Sequence, residues 1–208
     1  MSTHNKKLVL FDFDGVLINT IRFCYEIHVG NNKDFTYERF QDFANGNIYD
    51  GFDKAIAEEN FIIKDDYYDE YDKHLNTLTV EEVLRDAALR LSEIYTLVIV
   101  SSSPDKIISD FLVREGFRDA FTDILGSGTH RSKVVKIQKV LEKYDCDLRD
   151  TVFVTDTLGD MKEAAECGIR SIGVTWGLHP QSNLQKGNPV AIIEDPRMLV
   201  EAVQNVLK

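Results

Sequence analysis

Lys7-Leu-Val-Leu-Phe-Asp-Phe-Asp-Gly-Val-Leu17 decides how this chain is read. Leu8 to Phe11 is a short apolar run, the length of one buried strand. It ends at Asp12 and Asp14, one residue apart, and Gly15 then lets the backbone turn tightly. Two carboxylates at the end of a buried strand lose solvation and repel each other. A bound cation is the simplest offset to that cost.

Working outward, further apolar runs alternate with helical patterns. Tyr95–Val100, Phe121–Leu125, Thr151–Thr155, Arg170–Val174 and Ala191–Ile193 read as strands. Helices are expected over 80–93, 105–115, 133–144, 160–167 and 195–207, with Gly116 and Gly168 as stops. Strands that are apolar throughout and alternate with helices predict a parallel sheet covered on both faces. The region 18–80 differs. It is rich in aromatic and acidic residues at helical spacing, and reads as helices over 18–30, 37–44, 50–60 and 65–75, broken at Asn45-Gly46-Asn47. The expected fold is α/β: a parallel-sheet core of 1–17 and 81–208, carrying a small α-helical insert of 18–80.

Composition narrows the function classes. The 208 residues are 43% apolar, enough for a real core, and the net charge is -11 with a sequence pI near 4.9. An acidic surface argues against nucleic acid or an anionic membrane as partner. No apolar run approaches a bilayer span, and the polar start 1–7 carries no signal-peptide pattern. Cys24, Cys146 and Cys167 are widely spaced and read as free thiols. The expectation is a cytoplasmic protein, monomer or homodimer, whose partner is a small molecule.

In parallel α/β sheets, ligands bind beyond the carboxyl ends of the strands. The residues there are Asp12 and Asp14, then Ser101 and Ser102, then Asp156 with Asp160 four residues on; Lys133 starts the helix before the Asp156 strand. Hard oxygen ligands suit Mg²⁺ together with a substrate phosphate. A carboxylate can attack phosphorus, and a second can protonate the leaving oxygen and later activate water. The Ser101 hydroxyl and the amides of Ser102 and Ser103 can hold phosphate oxygens, and Lys133 can neutralise developing charge.

Asp12-Phe-Asp-Gly-Val-Leu17, Val98-Ile-Val-Ser101, Lys133 and Asp156-Thr-Leu-Gly-Asp160 resemble, in order and context, the four motifs of the haloacid dehalogenase superfamily. The insert directly after the first motif resembles the helical cap of its phosphoglycolate phosphatase and beta-phosphoglucomutase-like branch. The resemblance implies a Rossmann-like core with a cap domain, with Asp12 as the nucleophile and Asp14 as the general acid/base. It also implies that Mg²⁺ is held by the Asp12 side chain, the Asp14 main-chain carbonyl and Asp156, with Asp160 in support. Ser101, Ser102 and Lys133 would bind the transferred phosphoryl group. Two positions depart from the pattern: Thr155 replaces the usual glycine before Asp156, a change expected to alter packing, and Ser102 replaces a common asparagine. The superfamily's dehalogenases lack the second aspartate of the first motif, so Asp14 points to phosphoryl chemistry.

The leading expectation is a Mg²⁺-dependent phosphatase acting on a small phosphorylated metabolite through an aspartyl-phosphate. A sugar phosphomutase would use the same groups, and a non-catalytic binding protein could retain the fold. A response-regulator receiver domain is disfavoured by the insert and the length. Outside the motifs, His179 is expected as a solvated loop histidine; Arg131 and Lys136 lie near Lys133, which is favoured as the site cation. Tyr49, Tyr67, Tyr68 and Tyr71 are expected in the core of the insert, and the acidic run Asp65, Asp66, Asp69, Glu70 and Asp72 on a solvated face.

Overall fold

The computed structural model describes residues 7–208; the polar stretch 1–6 lies outside the described residues. The sheet has six parallel strands in the order β3-β2-β1-β4-β5-β6. They are β1 (Leu8–Phe11), β2 (Thr96–Val100), β3 (Asp123–Leu125), β4 (Thr151–Thr155), β5 (Arg170–Val174) and β6 (Ala191–Ile193). Each of the six expected strands forms. Every residue of β1 and β4 is buried, which explains their uninterrupted apolar character.

Helices cover both faces: α5 (Glu82–Ser92), α6 (Asp105–Arg114), α7 (Lys133–Tyr144), α8 (Leu158–Glu166), the single turn α9 (Gln181–Leu184) and α10 (Leu199–Val206). Between β1 and β2 the chain forms α1 (Ile21–Val29), α2 (Tyr37–Phe43), α3 (Ile48–Glu59) and α4 (Tyr67–Leu75). β1 lies at the centre, paired with β2 on one side and β4 on the other, so Leu10 sits between Val98 and Phe153. The chain builds outward from β1 in both directions, and such a reversal of strand order opens a crevice at the carboxyl ends.

Several boundaries differ from the sequence reading, for local reasons. α1 begins at Ile21 instead of Ile18, because Gly15 adopts φ +72° and its N–H donates to the Ile18 carbonyl at 2.8 Å. That tight turn delays the helix by one turn of chain. α8 begins at Leu158, two residues earlier than expected, since the Thr157 hydroxyl caps the Asp160 amide. Near the carboxyl end, Pro196–Met198 is a short 3-10 turn before α10. The single turn α9 lacked any apolar periodicity to announce it.

The helices between β1 and β2 have an aromatic interior. His28 lies among Phe52, Tyr67, Phe61 and Phe40, with ring centroids 4.7, 4.9, 5.7 and 6.1 Å away. Burial pushes its imidazole down to about 4, so His28 is neutral at physiological pH. No helix among the described residues is long and apolar enough to cross a membrane.

Candidate active site

The strand order brings the motif residues together. Asp12 follows β1, Ser101 follows β2 and Asp156 follows β4, at the same edge of three adjacent strands. The start of α7 adds Lys133 and the start of α8 adds Asp160. Lys133 is the centre of the cluster. Its ammonium donates to Asp12 Oδ2 at 2.8 Å and to Asp160 Oδ2 at 2.7 Å, with all three side chains more than nine-tenths buried. Burial alone would lower the lysine, but the two carboxylates raise it well above its ordinary range. The cation is therefore permanent.

The carboxylates divide accordingly. Burial raises Asp12 well above the usual range, with Lys133 opposing and Asp160 and Asp156 adding to the rise. Burial acts on Asp160 in the same direction, but Lys133 and hydrogen bonds outweigh it and hold the group low. One of those bonds comes from Thr155, whose hydroxyl donates to Asp160 Oδ2 at 2.6 Å. The threonine that replaces the usual glycine thus does more than alter packing. It adds a second donor to the carboxylate that anchors Lys133.

Asp156 is fully buried, and burial pushes its carboxyl up to about 7. Oδ2 accepts the Leu178 amide at 2.7 Å, whereas buried Oδ1 has no hydrogen-bond partner. A carboxylate oxygen left without a donor in the interior is costly unless a cation meets it. The glycines beside it leave little room: a Cβ on Gly15 would stand 2.1 Å from Asp156 Oδ2. The orphan oxygen fits a divalent cation held by Asp156, Asp12 and a main-chain carbonyl. Two side chains and one carbonyl make a sparse donor set, and no group of three or more His, Cys, Asp or Glu side chains placed to hold a metal occurs among the described residues. Mg²⁺ suits such a set, because it retains water and shares its shell with phosphate.

Asp14 is half-buried and accepts three hydroxyls. Tyr71 Oη and Thr20 Oγ1 donate to its Oδ1 at 2.6 and 2.7 Å, and Ser103 Oγ donates to Oδ2 at 2.6 Å. The Ser101 hydroxyl is fully buried and accepts the Ser103 amide at 3.0 Å, shaping the loop after β2. Ser102 and Ser103, not Ser101, line the cavity above Asp12.

Several participants escaped the sequence reading. Lys136, a neighbour of Lys133 passed over in its favour, is fully buried and donates to the Ser101 carbonyl; burial and the neighbouring Lys133 lower it to about 8. Lys133 and Lys136 are three residues apart on one helix face, the only signal the sequence offered. His179, expected to be solvated, is 1% exposed. Its Nδ1 accepts the Leu158 amide at 2.9 Å and its Nε2 lies 2.9 Å from the Gln41 carbonyl, which fixes a neutral ring with the proton on Nε2. Glu163 Oε1 accepts the amides of Lys133 at 2.9 Å and Val134 at 3.4 Å, capping α7 from a neighbouring helix.

The segment 44–49 reaches over this cluster. The Gly159 amide donates to the Ala44 carbonyl at 2.8 Å, and a Cβ on Gly159 would stand 2.0 Å from the Gly46 carbonyl oxygen. Asn47 Nδ2 donates to Glu163 at 3.0 Å, and Tyr49 Oη donates to the Ser102 carbonyl at 2.8 Å. Tyr71 is fully buried, Tyr49 and Tyr67 are partly buried, and Tyr68 is exposed.

Fold and site together define a hydrolase built on a parallel α/β sheet. The family profile of haloacid dehalogenase-like hydrolases matches residues 9–174, most of the chain, and the protein belongs to that family. It is 25% identical over 231 aligned residues to the phosphoglycolate phosphatase of Vibrio vulnificus, with 98% of each chain covered. Among solved structures it resembles a hydrolase from Pseudomonas syringae at TM-score 0.80 and 13% identity, covering 98% of this chain and 100% of that one. A haloacid dehalogenase-like family protein from Streptococcus pneumoniae aligns at TM-score 0.71 and 20% identity, covering 95% and 98%.

Proposed function

We propose that this protein is a Mg²⁺-dependent phosphatase that hydrolyses a small phosphorylated metabolite through an aspartyl-phosphate on Asp12. The observation that carries the reading is the buried Asp12–Lys133–Asp160 array beside the orphan oxygen of Asp156. A buried ion array is no more stabilising than apolar packing of the same volume, whereas it suits the charge of a phosphoryl group in flight. The similarity to phosphoglycolate phosphatases points to the same class of reaction.

Asp12 is the nucleophile in this reading. Its carboxylate attacks phosphorus, and the ester P–O bond breaks as Asp14 gives its proton to the leaving oxygen. Asp14, now ionised, takes a proton from water as that water attacks the phosphorus of the acyl phosphate. The bond to Asp12 breaks, releasing inorganic phosphate. Lys133 holds Asp12 in line and offsets the charge on the phosphoryl oxygens, and the Ser102 amide binds those oxygens, the Ser103 amide being held by the Ser101 hydroxyl. Asp12, Asp156 and the Asp14 carbonyl would hold Mg²⁺, which supplies charge neutralisation when bound. Asp160 positions Lys133 by its ion pair. Tyr71 is a positioning residue for Asp14, reaching it from α4.

The helices of 18–80 act as the cap. Their contacts at Ala44, Asn47 and Tyr49 seat them over the cluster, where closure excludes water during the first step. A phosphate-release assay over a phosphomonoester panel, with Mg²⁺ or with EDTA, tests the reading. Release that requires Mg²⁺ and disappears in Asp12→Asn is expected. Isomerisation of a sugar phosphate without net phosphate release would replace the phosphatase by a phosphomutase.

A further inference from the structure

A cavity of about 520 Å³ extends from Asp12 into the helices between β1 and β2. That is several times the room a two-carbon acid needs, and in the range of pockets that enclose a whole organic ligand. Away from the carboxylate cluster its walls are dominated by Ile21, Phe40, Ile48, Phe52, Tyr67 and Tyr68.

The cations on the cavity wall are Lys64, Arg131 and Lys133, and each already has a carboxylate partner. Lys64 pairs with Glu70 at 3.0 Å. Arg131 pairs with Asp53 at 2.8 Å and lies over the Tyr49 ring, 4.6 Å from its centroid. Lys133 is held between Asp12 and Asp160. Asp53 and Asp65 also line the cavity and add negative charge. A substrate with a second anionic group would meet aromatic carbon and acidic side chains there, at a desolvation cost with no free cation to offset it. His28, on the same wall, is neutral. The Tyr49 hydroxyl is occupied by the Ser102 carbonyl, which leaves fewer groups to recognise a polyhydroxy sugar.

We propose that the substrate is a phosphomonoester whose alcohol portion is uncharged and apolar or aromatic, seated against Ile48, Phe52 and Tyr67 while its phosphoryl group lies at Asp12. This deepens the phosphatase reading and rests on it for the reaction, but the seating of the alcohol portion can be read without turnover. Flat side chains recognise flat groups by area and edge contacts, and exclude water from the reacting bond.

The test pairs turnover with binding. Phenylpropyl phosphate, propyl phosphate and phosphoglycolate are compared as substrates with Mg²⁺; the two alkyl esters share a leaving-group chemistry, so their difference reads the pocket. Phenylpropylphosphonate and phosphonoacetate are compared as non-hydrolysable ligands by calorimetry. The expected result is kcat/KM for the phenylpropyl ester at least about tenfold above both others, and a similar preference between the phosphonates. Ile48→Arg should reduce that preference several-fold, with folding checked by circular dichroism. A preference for phosphoglycolate or phosphonoacetate would overturn the proposal, as would an aryl preference untouched by Ile48→Arg. Selective binding of the phenylpropylphosphonate without phosphate release from any ester would sustain the pocket assignment and overturn the phosphatase reading instead.

Discussion

Replacing Lys133 by methionine removes a charge while keeping most of the side-chain volume. In the wild type, one ammonium serves Asp12 at 2.8 Å and Asp160 at 2.7 Å, and the three side chains are 4%, 8% and 9% exposed. Without the cation, two buried carboxylates face each other across a gap that water barely reaches. Breaking a buried pair by removing one partner costs about 3–5 kcal/mol, mostly the penalty of the stranded charge. Asp160 keeps the Thr155 hydroxyl and Asp12 keeps the Phe13 amide, which places the expectation toward the lower end. For a chain of this size each kcal/mol moves the melting temperature by roughly 2–4 °C, so a fall of about 6–12 °C is expected at neutral pH in EDTA. Adding Asp160→Asn should recover part of it, because one of the stranded charges is then gone. The measurement is thermal unfolding of the three proteins in one buffer. A Lys133→Met protein that melts with the wild type, or a double variant less stable than the single one, would refute the reasoning.

Tyr71→Phe keeps the buried ring and removes only its 2.6 Å bond to Asp14. Hydrogen bonds to charged groups contribute about 1.5–3 kcal/mol to folding, a fall in melting temperature of roughly 3–12 °C, and the loss of this positioning bond should also lower kcat roughly tenfold or more with KM little changed; an unchanged kcat in the folded variant would make Tyr71 merely structural. His28 is buried among aromatic rings and lowered to about 4. Its neutral form is the folded one, so its contribution is complete above the unfolded value near 6.5 and is lost as pH falls toward 4, up to about 3 kcal/mol. His28→Phe should flatten the acid side of the stability profile, and parallel profiles would disprove it. Gly159→Ala drives a Cβ against the Gly46 carbonyl. It should displace the 44–46 segment and lower kcat/KM well beyond its effect on melting temperature; unchanged kinetics would mean that the segment is not part of the working site.

How far the sequence revealed this arrangement depended on the range of the contact involved. Asp12, Asp14 and Asp156 were legible because each directly follows an apolar strand, and parallel topology puts strand ends together. Lys133 was legible as the start of a helix facing that edge. Tyr71 was not assigned to Asp14, because the two are 57 residues apart and only packing of α4 brings them into contact. His179 was misplaced in solvent for the same reason, and Lys136, noticed only as a neighbour of Lys133, was given no place in the fold. The carbonyl of Ser101 and the pairing of Leu158 with Gln41 that bury them are tertiary features without local pattern. Thr155 was visible as an oddity, but its bond to Asp160 depends on how α8 turns away from β4. The late start of α1 follows from Gly15, whose turn was anticipated without its length.

As the proposed nucleophile, Asp12 would carry the phosphoryl group between two displacements. Rapid quench of the protein with a phosphomonoester and Mg²⁺, followed by borohydride reduction, converts an acyl phosphate to homoserine at the modified position. Peptide mass spectrometry should then find homoserine at position 12 in the wild type and nowhere in Asp12→Asn. Steady phosphate release with Asp12 unmodified, or homoserine at another aspartate, would contradict the account.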